Sequence, residues 1–343
     1  QLIREIESYR DTRFVEEPVH TIYMGGGTPS LLKPEQLAVL TQTIFDVFEA
    51  DIEEFTVEMN PDDVSESYLK ELRSIGVNRA SMGVQSFQPE LLEFMHRAHD
   101  RGEALRSLEL LSRAGFKNFT VDLIYGNPGE TPGQLEEDLE LLMEFEPPHL
   151  SAYSLTIEPK TRLGKQVQLG RIDPPEDERV IEQFELILEK LRSHGIHQYE
   201  VSNFSKPGAE AVHNRNYWEH HNYLGFGPSA HSFWWETDKA VRWSNKRDMK
   251  AYLQDGTGAE GERERLDHLQ LAEERIMMGL RTRRGVTEKL LKEDYNYLFS
   301  GDQKTYLEKK REEGLLEQDD AIRLTTEGLK IADAIVVDLL VRH

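Results

Sequence analysis

The chain has 343 residues, 38% of them hydrophobic and 30% charged, with no cysteine and a formal net charge of −22. That length suits one large barrel plus a smaller domain, and the acidity disfavours a nucleic-acid partner. The missing thiols exclude disulfides and thiolate metal sites in this sequence. No apolar run reaches bilayer-spanning length, and no signal peptide opens the chain. The densest basic stretches, Arg281–Arg284 and Lys309–Arg311, sit among acidic residues and read as solvated surface.

Gln1–Arg10 carries apolar residues at Leu2, Ile3, Ile6 and Tyr9, one face of a helix. A chain that opens partway along an amphipathic helix suggests a missing preceding element. Val19–Met24 (VHTIYM) reads as a buried strand that ends in three glycines. A helix is predicted over 33–48, a strand over 53–59, and a helix over 61–74 that stops near Gly76. Residues 79–84 form the next strand, followed by helices through 91–95 and 103–113. Asn118–Tyr125 is a strand, and 131–145 a helix with Thr131 as its cap and Pro132 in its first turn. Residues 149–155 form a further strand. Strands alternating with helices imply right-handed βαβ units, a parallel sheet, and a ligand at the carboxyl ends of the strands.

Beyond Leu155 the rhythm changes. A helix is expected over 176–194, then an aromatic, histidine- and glycine-rich stretch from Tyr199 to Trp235. Residues 254–265 read as a charged linker, and 266–343 as a mostly helical, winged-helix-like module with a hairpin over 315–324 and a helix from Thr326. The expected division is therefore 1–160, 161–253 and 266–343. The fold class is α/β.

Gly25–Gly27, followed by Thr28-Pro29-Ser30, joins a strand to a helix. Such a loop can cradle a phosphate, present carbonyls to an ammonium group, or simply turn; the P-loop lysine is absent. Glu58 ends an apolar strand, where a carboxylate is functional or ion-paired. Gln85 closes the next strand and can bind hydroxyls or a carboxylate. Arg97 suits a bidentate grip on a carboxylate, or is a surface charge. Asp122 interrupts its strand, as a ligand contact or a barrel-lining partner. Polar groups on one rim of successive strands form a set.

In order, GGGTPS, TVEMNP, SMGVQSF, MHRAH and VDLIYG resemble the radical S-adenosylmethionine proteins of the HemN/HemW type, which include oxygen-independent coproporphyrinogen III oxidases and haem chaperones. The resemblance implies a partial, TIM-like radical SAM (β/α) barrel and an S-adenosylmethionine site. Gly26, Gly27 and Thr28 would hold the methionine amine. Glu58, Gln85, Arg97 and Asp122 would hold its amine, carboxylate and ribose groups. The family binds a [4Fe–4S] cluster through a Cys-x3-Cys-x2-Cys loop, which this sequence lacks. Truncation just after that loop is the simplest account, and a cluster-free binding paralogue the rival one. As written, the chain should not cleave the cofactor reductively.

His213-Asn214-Arg215-Asn216-Tyr217-Trp218 resembles the HNxxYW haem-binding motif of the family's chaperones. Imidazole is a natural axial ligand of haem iron, so His213 is the expected haem contact, against the alternative of a loop histidine beside core aromatics. His220, His221 and His231 lie near enough in sequence to substitute, whereas His194 and His197 read as helix-end or surface residues. The implied protein is a cytoplasmic haem chaperone that delivers haem to respiratory haem proteins, with membrane association left open. The alternative is an oxidase that forms protoporphyrinogen IX.

Overall fold

The computed structural model describes residues 1–237, 239–254 and 260–342. In chain order the first elements are α1 (Leu2–Glu7), β1 (Val19–Met24), α2 (Pro34–Val47), β2 (Ala50–Met59), α3 (Glu66–Ser74), β3 (Arg79–Gln85), α4 (Pro89–Phe94), α5 (Arg101–Arg113), β4 (Asn118–Tyr125), α6 (Pro132–Met143) and β5 (His149–Ser154). The predicted alternation of strand and helix is present. The sequence also fixes where the helices start. Thr131 and Asp100 each accept a hydrogen bond from the backbone N–H three residues on, and the side chain at that third position bonds back.

Next come α7 (Arg162–Gln168), α8 (Asp177–Ser193), β6 (His197–Gln198) and β7 (Asn203–Ser205). Strands β1 to β7 form one sheet in the order β1-β2-β3-β4-β5-β7-β6. Pairing is parallel from β2 through β5, and β7 runs antiparallel to both β5 and β6.

The remaining elements are α9 (Val212–Trp218), β8 (His231–Trp235), β9 (Ala240–Asn245), α10 (Met249–Gln254), β10 (Glu260–Leu266), α11 (His268–Leu280), β11 (Val286–Thr287), α12 (Glu288–Tyr295), α13 (Gly301–Glu312), β12 (Ala321–Ile322), α14 (Thr326–Lys330) and α15 (Ala332–Leu340). The predicted linker is corrected here. Its second half is strand β10, held antiparallel to β9, while residues 255–259 lie outside the described ones. The charges of Glu260–Arg265 suit an exposed edge strand, which is why they read as a linker. The predicted C-terminal hairpin is present as a Leu316–Leu324 bridge, with β12 paired to β11.

Two compact units result. One comprises Gln1–His20, Ala38–Ile52 and Ala211–His343, and the other Thr21–Leu37 and Glu53–Glu210. In the second unit the sheet has one apolar face, with Val57, Ala80, Met82, Val121, Leu123, Leu150 and Ala152 all buried. The alternate residues are polar. Register places Glu58, Ser81, Thr120, His149 and Ser205 in one cross-strand row, and Asp122, Ser151 and Asn203 in the next. Barrels of this class usually fill that side with branched aliphatic side chains. Here hydroxyls and ionisable groups occupy it.

The first unit holds α1 by both packing and a buried carboxylate. Ile6 packs with Val47 and Phe48, bordered by Leu2, Tyr9 and Phe226. Glu5, only 3% exposed, accepts from the Gly227 N–H at 2.9 Å, Asn245 Nδ2 at 2.5 Å and the Tyr252 hydroxyl at 2.6 Å. Removing the carboxylate strands three buried donors. Glu5→Ala should therefore lower the unfolding free energy by about 3 kcal/mol, with Glu5→Gln losing less. Urea denaturation of the three chains measures it, and an unchanged midpoint in the alanine variant would contradict the assignment.

Candidate functional site

The rim of the second unit starts at the glycine loop. Gly25 approaches Glu58 so closely that an added Cβ would stand 2.6 Å from Glu58 Cδ and 2.6 Å from Tyr23 Cε1. Gly26 has φ +86 and donates its N–H to Glu58 Oε2 at 3.0 Å. The Tyr23 hydroxyl donates to Glu58 Oε1 at 2.6 Å. Glu58 is half-buried, not sealed, and the loop's close contact with it uses an amide hydrogen. Gly27 is exposed and Thr28 half-buried at the start of the following turn.

Gln85 is brought to the rim by a distortion. The β3–β4 register shifts between Met82 and Gln85, and Gln85 has φ +69. A non-glycine residue in the left-handed region costs about 1–3 kcal/mol, and such strain clusters at functional sites. Arg97 Nη2 donates to Asn60 Oδ1 at 2.7 Å and to the Gly83 carbonyl at 3.1 Å. Its buried Nε has no partner among the described residues. Gly83 leaves room for this: a Cβ there would stand 3.1 Å from Gln85 Nε2 and 3.4 Å from Arg97 Nη2. The structure thus brings Glu58, Gln85 and Arg97 to neighbouring strand ends.

Asp122 lies deeper, surrounded by protein atoms yet with some surface still accessible. Ser81 Oγ donates to its Oδ2 at 3.1 Å. Burial pushes its carboxyl up to about 6, against the opposing influence of the Ser151 and Ser81 hydroxyls and Arg79. Sequence reading missed its companions. Arg79 and His149 are buried on the same polar face, and Tyr153 lies near Asp122, Glu200 and Glu58. The available signal was alternation: Arg79, Ser81 and Gly83 on β3, and His149, Ser151 and Tyr153 on β5.

In the first unit His213 sits on α9, half-buried. Its Nε2 lies 2.8 Å from the Tyr217 hydroxyl, and the rings meet edge-on at 5.0 Å. Tyr217 in turn meets Tyr223 at 4.7 Å. His220 is not interchangeable with His213. It is 6% exposed, stacks on Phe233 at 4.5 Å, and has its Nδ1 3.2 Å from the Tyr295 hydroxyl. Burial lowers its basicity. His221 and His231 are exposed, as are His194 and His197.

These features define a radical S-adenosylmethionine protein of the HemN class. Residues 3–142 match the Radical SAM superfamily model, and 266–331 the HemN C-terminal domain model. The chain is 39% identical over 315 residues to the heme chaperone HemW of Bacillus subtilis (strain 168), covering 90% of this chain and 82% of that protein. It is 37% identical to the heme chaperone HemW of Lactococcus lactis subsp. lactis (strain IL1403), covering 83% and 73%. It is 32% identical to the mitochondrial radical S-adenosyl methionine domain-containing protein 1 of Danio rerio, covering 94% and 75%. The chain belongs to the HemW family. Its fold matches coproporphyrinogen III oxidase (HemN) from Escherichia coli at a TM-score of 0.82 and 22% identity, covering 98% of this chain and 81% of that one.

The family implies S-adenosylmethionine and a [4Fe–4S] cluster. The rim suits the first: an unpartnered guanidinium N–H for a carboxylate, carboxylates for an amine and hydroxyls, and a glycine loop that permits close approach. It does not suit the second. The sequence has no cysteine, and the described residues hold no group of three His, Asp or Glu arranged around a metal.

Four carboxyls of this unit, Asp122, Glu130, Asp138 and Glu200, are raised by burial. Burial raises Asp122 and Asp138 to about 6 and Glu200 to about 7. A folded value above the unfolded one gives stability that is fully present below the unfolded value, about 4, and is lost as pH rises through 6 to 7. Asp138→Asn and Asp122→Asn should each lose less stability than the wild type between pH 4.5 and 7.5. Parallel urea titrations check this, and identical pH slopes would refute it.

Proposed function

We propose that this chain is the S-adenosylmethionine- and haem-binding portion of a haem chaperone. The observation that carries the reading is His213. It is a half-buried imidazole on α9, bordered by the ring of Tyr217, which in turn meets Tyr223, in a chain whose relatives include proteins named heme chaperones. Imidazole supplies an axial bond to haem iron, and flanking aromatics pack a porphyrin face. If the iron takes Nε2, the Tyr217 hydroxyl must yield that nitrogen. Tyr217 keeps its proton at neutral pH, because burial raises it to about 12.

In the second unit Arg97 would receive the cofactor's carboxylate, with Gln85 beside it. Glu58, with Gly26, Gly27 and Thr28, would receive the amine. Asp122 would accept from the ribose hydroxyls. Bound S-adenosylmethionine supplies a sulfonium and a transferable adenosyl group. The residues here bind and orient it. Haem leaves for an acceptor such as a respiratory haem protein, and a cytoplasmic location fits that role. No helix among the described residues is long and apolar enough to cross a membrane.

Two titrations test the halves separately. Haem added to the wild type should give a Soret shift that His213→Ala loses, with affinity falling at least tenfold. His220→Ala is the control, because a buried histidine should change stability more than the Soret band. Calorimetry with S-adenosylmethionine should show affinity falling as Asp122 protonates, below about 6, and levelling off at the weaker affinity of the neutral acid. Asp122→Ala should be weak at every pH. Wild-type affinity in Asp122→Ala would remove it from the site, and an unchanged Soret response in His213→Ala would move the haem ligand elsewhere.

A further inference from the structure

The polar face of the second unit carries one feature that cofactor contacts do not explain. His149 on β5 is 0% exposed, and both of its nitrogens are engaged. Nε2 lies 2.8 Å from the Tyr199 hydroxyl, and Nδ1 lies 2.7 Å from Thr120 Oγ1. Thr120 Oγ1 lies 3.2 Å from Ser151 Oγ. Ser151 is paired beside Asp122 across the sheet, and its hydroxyl stabilises the Asp122 carboxylate. Tyr199 is partly exposed. The groups therefore form a chain from the phenol of a partly exposed tyrosine, through the interior, to Ser151, which stands opposite a carboxylate of the candidate ligand rim across the sheet.

The chemistry of the ends sets the direction of every link. A carboxylate only accepts. With Asp122 ionised, Ser151 donates to it, Thr120 donates to Ser151, His149 Nδ1–H donates to Thr120, and Tyr199 donates to His149 Nε2. His149 stays neutral, because burial, and then Arg79, push its imidazole well below the ordinary value. With Asp122 protonated and its O–H turned to Ser151, the whole chain reverses. The neutral ring then carries its hydrogen on Nε2.

We propose that Tyr199, His149, Thr120 and Ser151 are a proton relay serving Asp122, in which the tautomer of His149 follows the charge of Asp122. This rests on the assignment of Asp122 to the cofactor rim for its purpose, but not for its test. The step balances. A hydronium ion gives one proton to the Tyr199 oxygen and becomes water, the Tyr199 proton passes to Nε2, the Nδ1 proton to Thr120, the Thr120 proton to Ser151 and the Ser151 proton to Asp122. Nothing is oxidised or reduced, and among the protein groups only Asp122 changes charge. The carboxylate can thereby change protonation while a ligand covers the strand ends.

The charged and titratable groups around the chain are accounted for. Tyr23, Glu58, Arg79 and Tyr153 act on Asp122 from β1, β2, β3 and β5. Arg79 also acts on His149. Glu200, beside Tyr199 in sequence, acts on Tyr153. Arg79 opposes a charged imidazole at His149. That leaves tautomer exchange as the route through His149.

Nitrogen-15 NMR of the full chain, labelled at histidine and free of ligand, reads the tautomer directly. At pH 8 His149 should be the Nδ1–H form, and near pH 5 the neutral Nε2–H form, with a midpoint that matches the Asp122 carboxyl followed by carbon-13. Thr120→Val should abolish the switch while the protein stays folded, and Thr120→Ser should restore it. A fixed tautomer, an imidazolium at pH 5, or a switch that survives in Thr120→Val would overturn the proposal. Failure of S-adenosylmethionine to bind would instead sink the cofactor reading and leave the switch intact. A fixed tautomer would leave cofactor binding untouched.

Discussion

Everything in the second unit depends on a sheet that is apolar on one side and polar on the other. The apolar side supplies the burial that stabilises the unit. The polar side must answer each hydroxyl and carboxylate with a partner, because an unanswered buried group costs as much as several good contacts return. Glu58 is answered by Tyr23 and the Gly26 amide, and Asp122 by Ser81 and Ser151. His149 is answered at both nitrogens. These partners hold the ionisable groups in place, so the rim is organised before any ligand arrives.

Two features of the rim are left unrelieved. Arg97 Nε has no partner among the described residues, and Gln85 is held in a backbone conformation that glycine would adopt more easily. Both lie beside a loop where Gly25 comes close to Glu58, and strain of the kind seen at Gln85 clusters at functional sites.

The first unit works by different physics. Glu5 fastens the opening helix through three donors, and aromatic rings gather around His220. Two histidines seven residues apart acquire opposite characters. His220 is enclosed between Phe233 and Tyr295 and loses basicity, while His213 is only half-buried, with the Tyr217 phenol at its Nε2. An axial ligand needs a reachable imidazole, which separates the two more sharply than their shared residue type does.

Local chemistry in the sequence was sufficient for the strand–helix alternation through Leu155. It was also sufficient for the Thr131 cap and for placing Glu58 and Gln85 at strand ends, because hydrophobic period and capping act over a few residues, whereas Arg97 joined the expected set through the family resemblance. The edge strand β10 was hidden, since its charges look like a linker until β9 lies beside it. Tertiary structure alone decided that Gln85 sits at a β3–β4 register shift with a positive φ, that Gly25 is the glycine closest to Glu58, and that His220 is core. It alone joined Tyr199, His149, Thr120, Ser151 and Asp122, which come from separate stretches of chain. Cross-strand register makes them neighbours, and register depends on how whole strands bury their faces, a property no single segment carries.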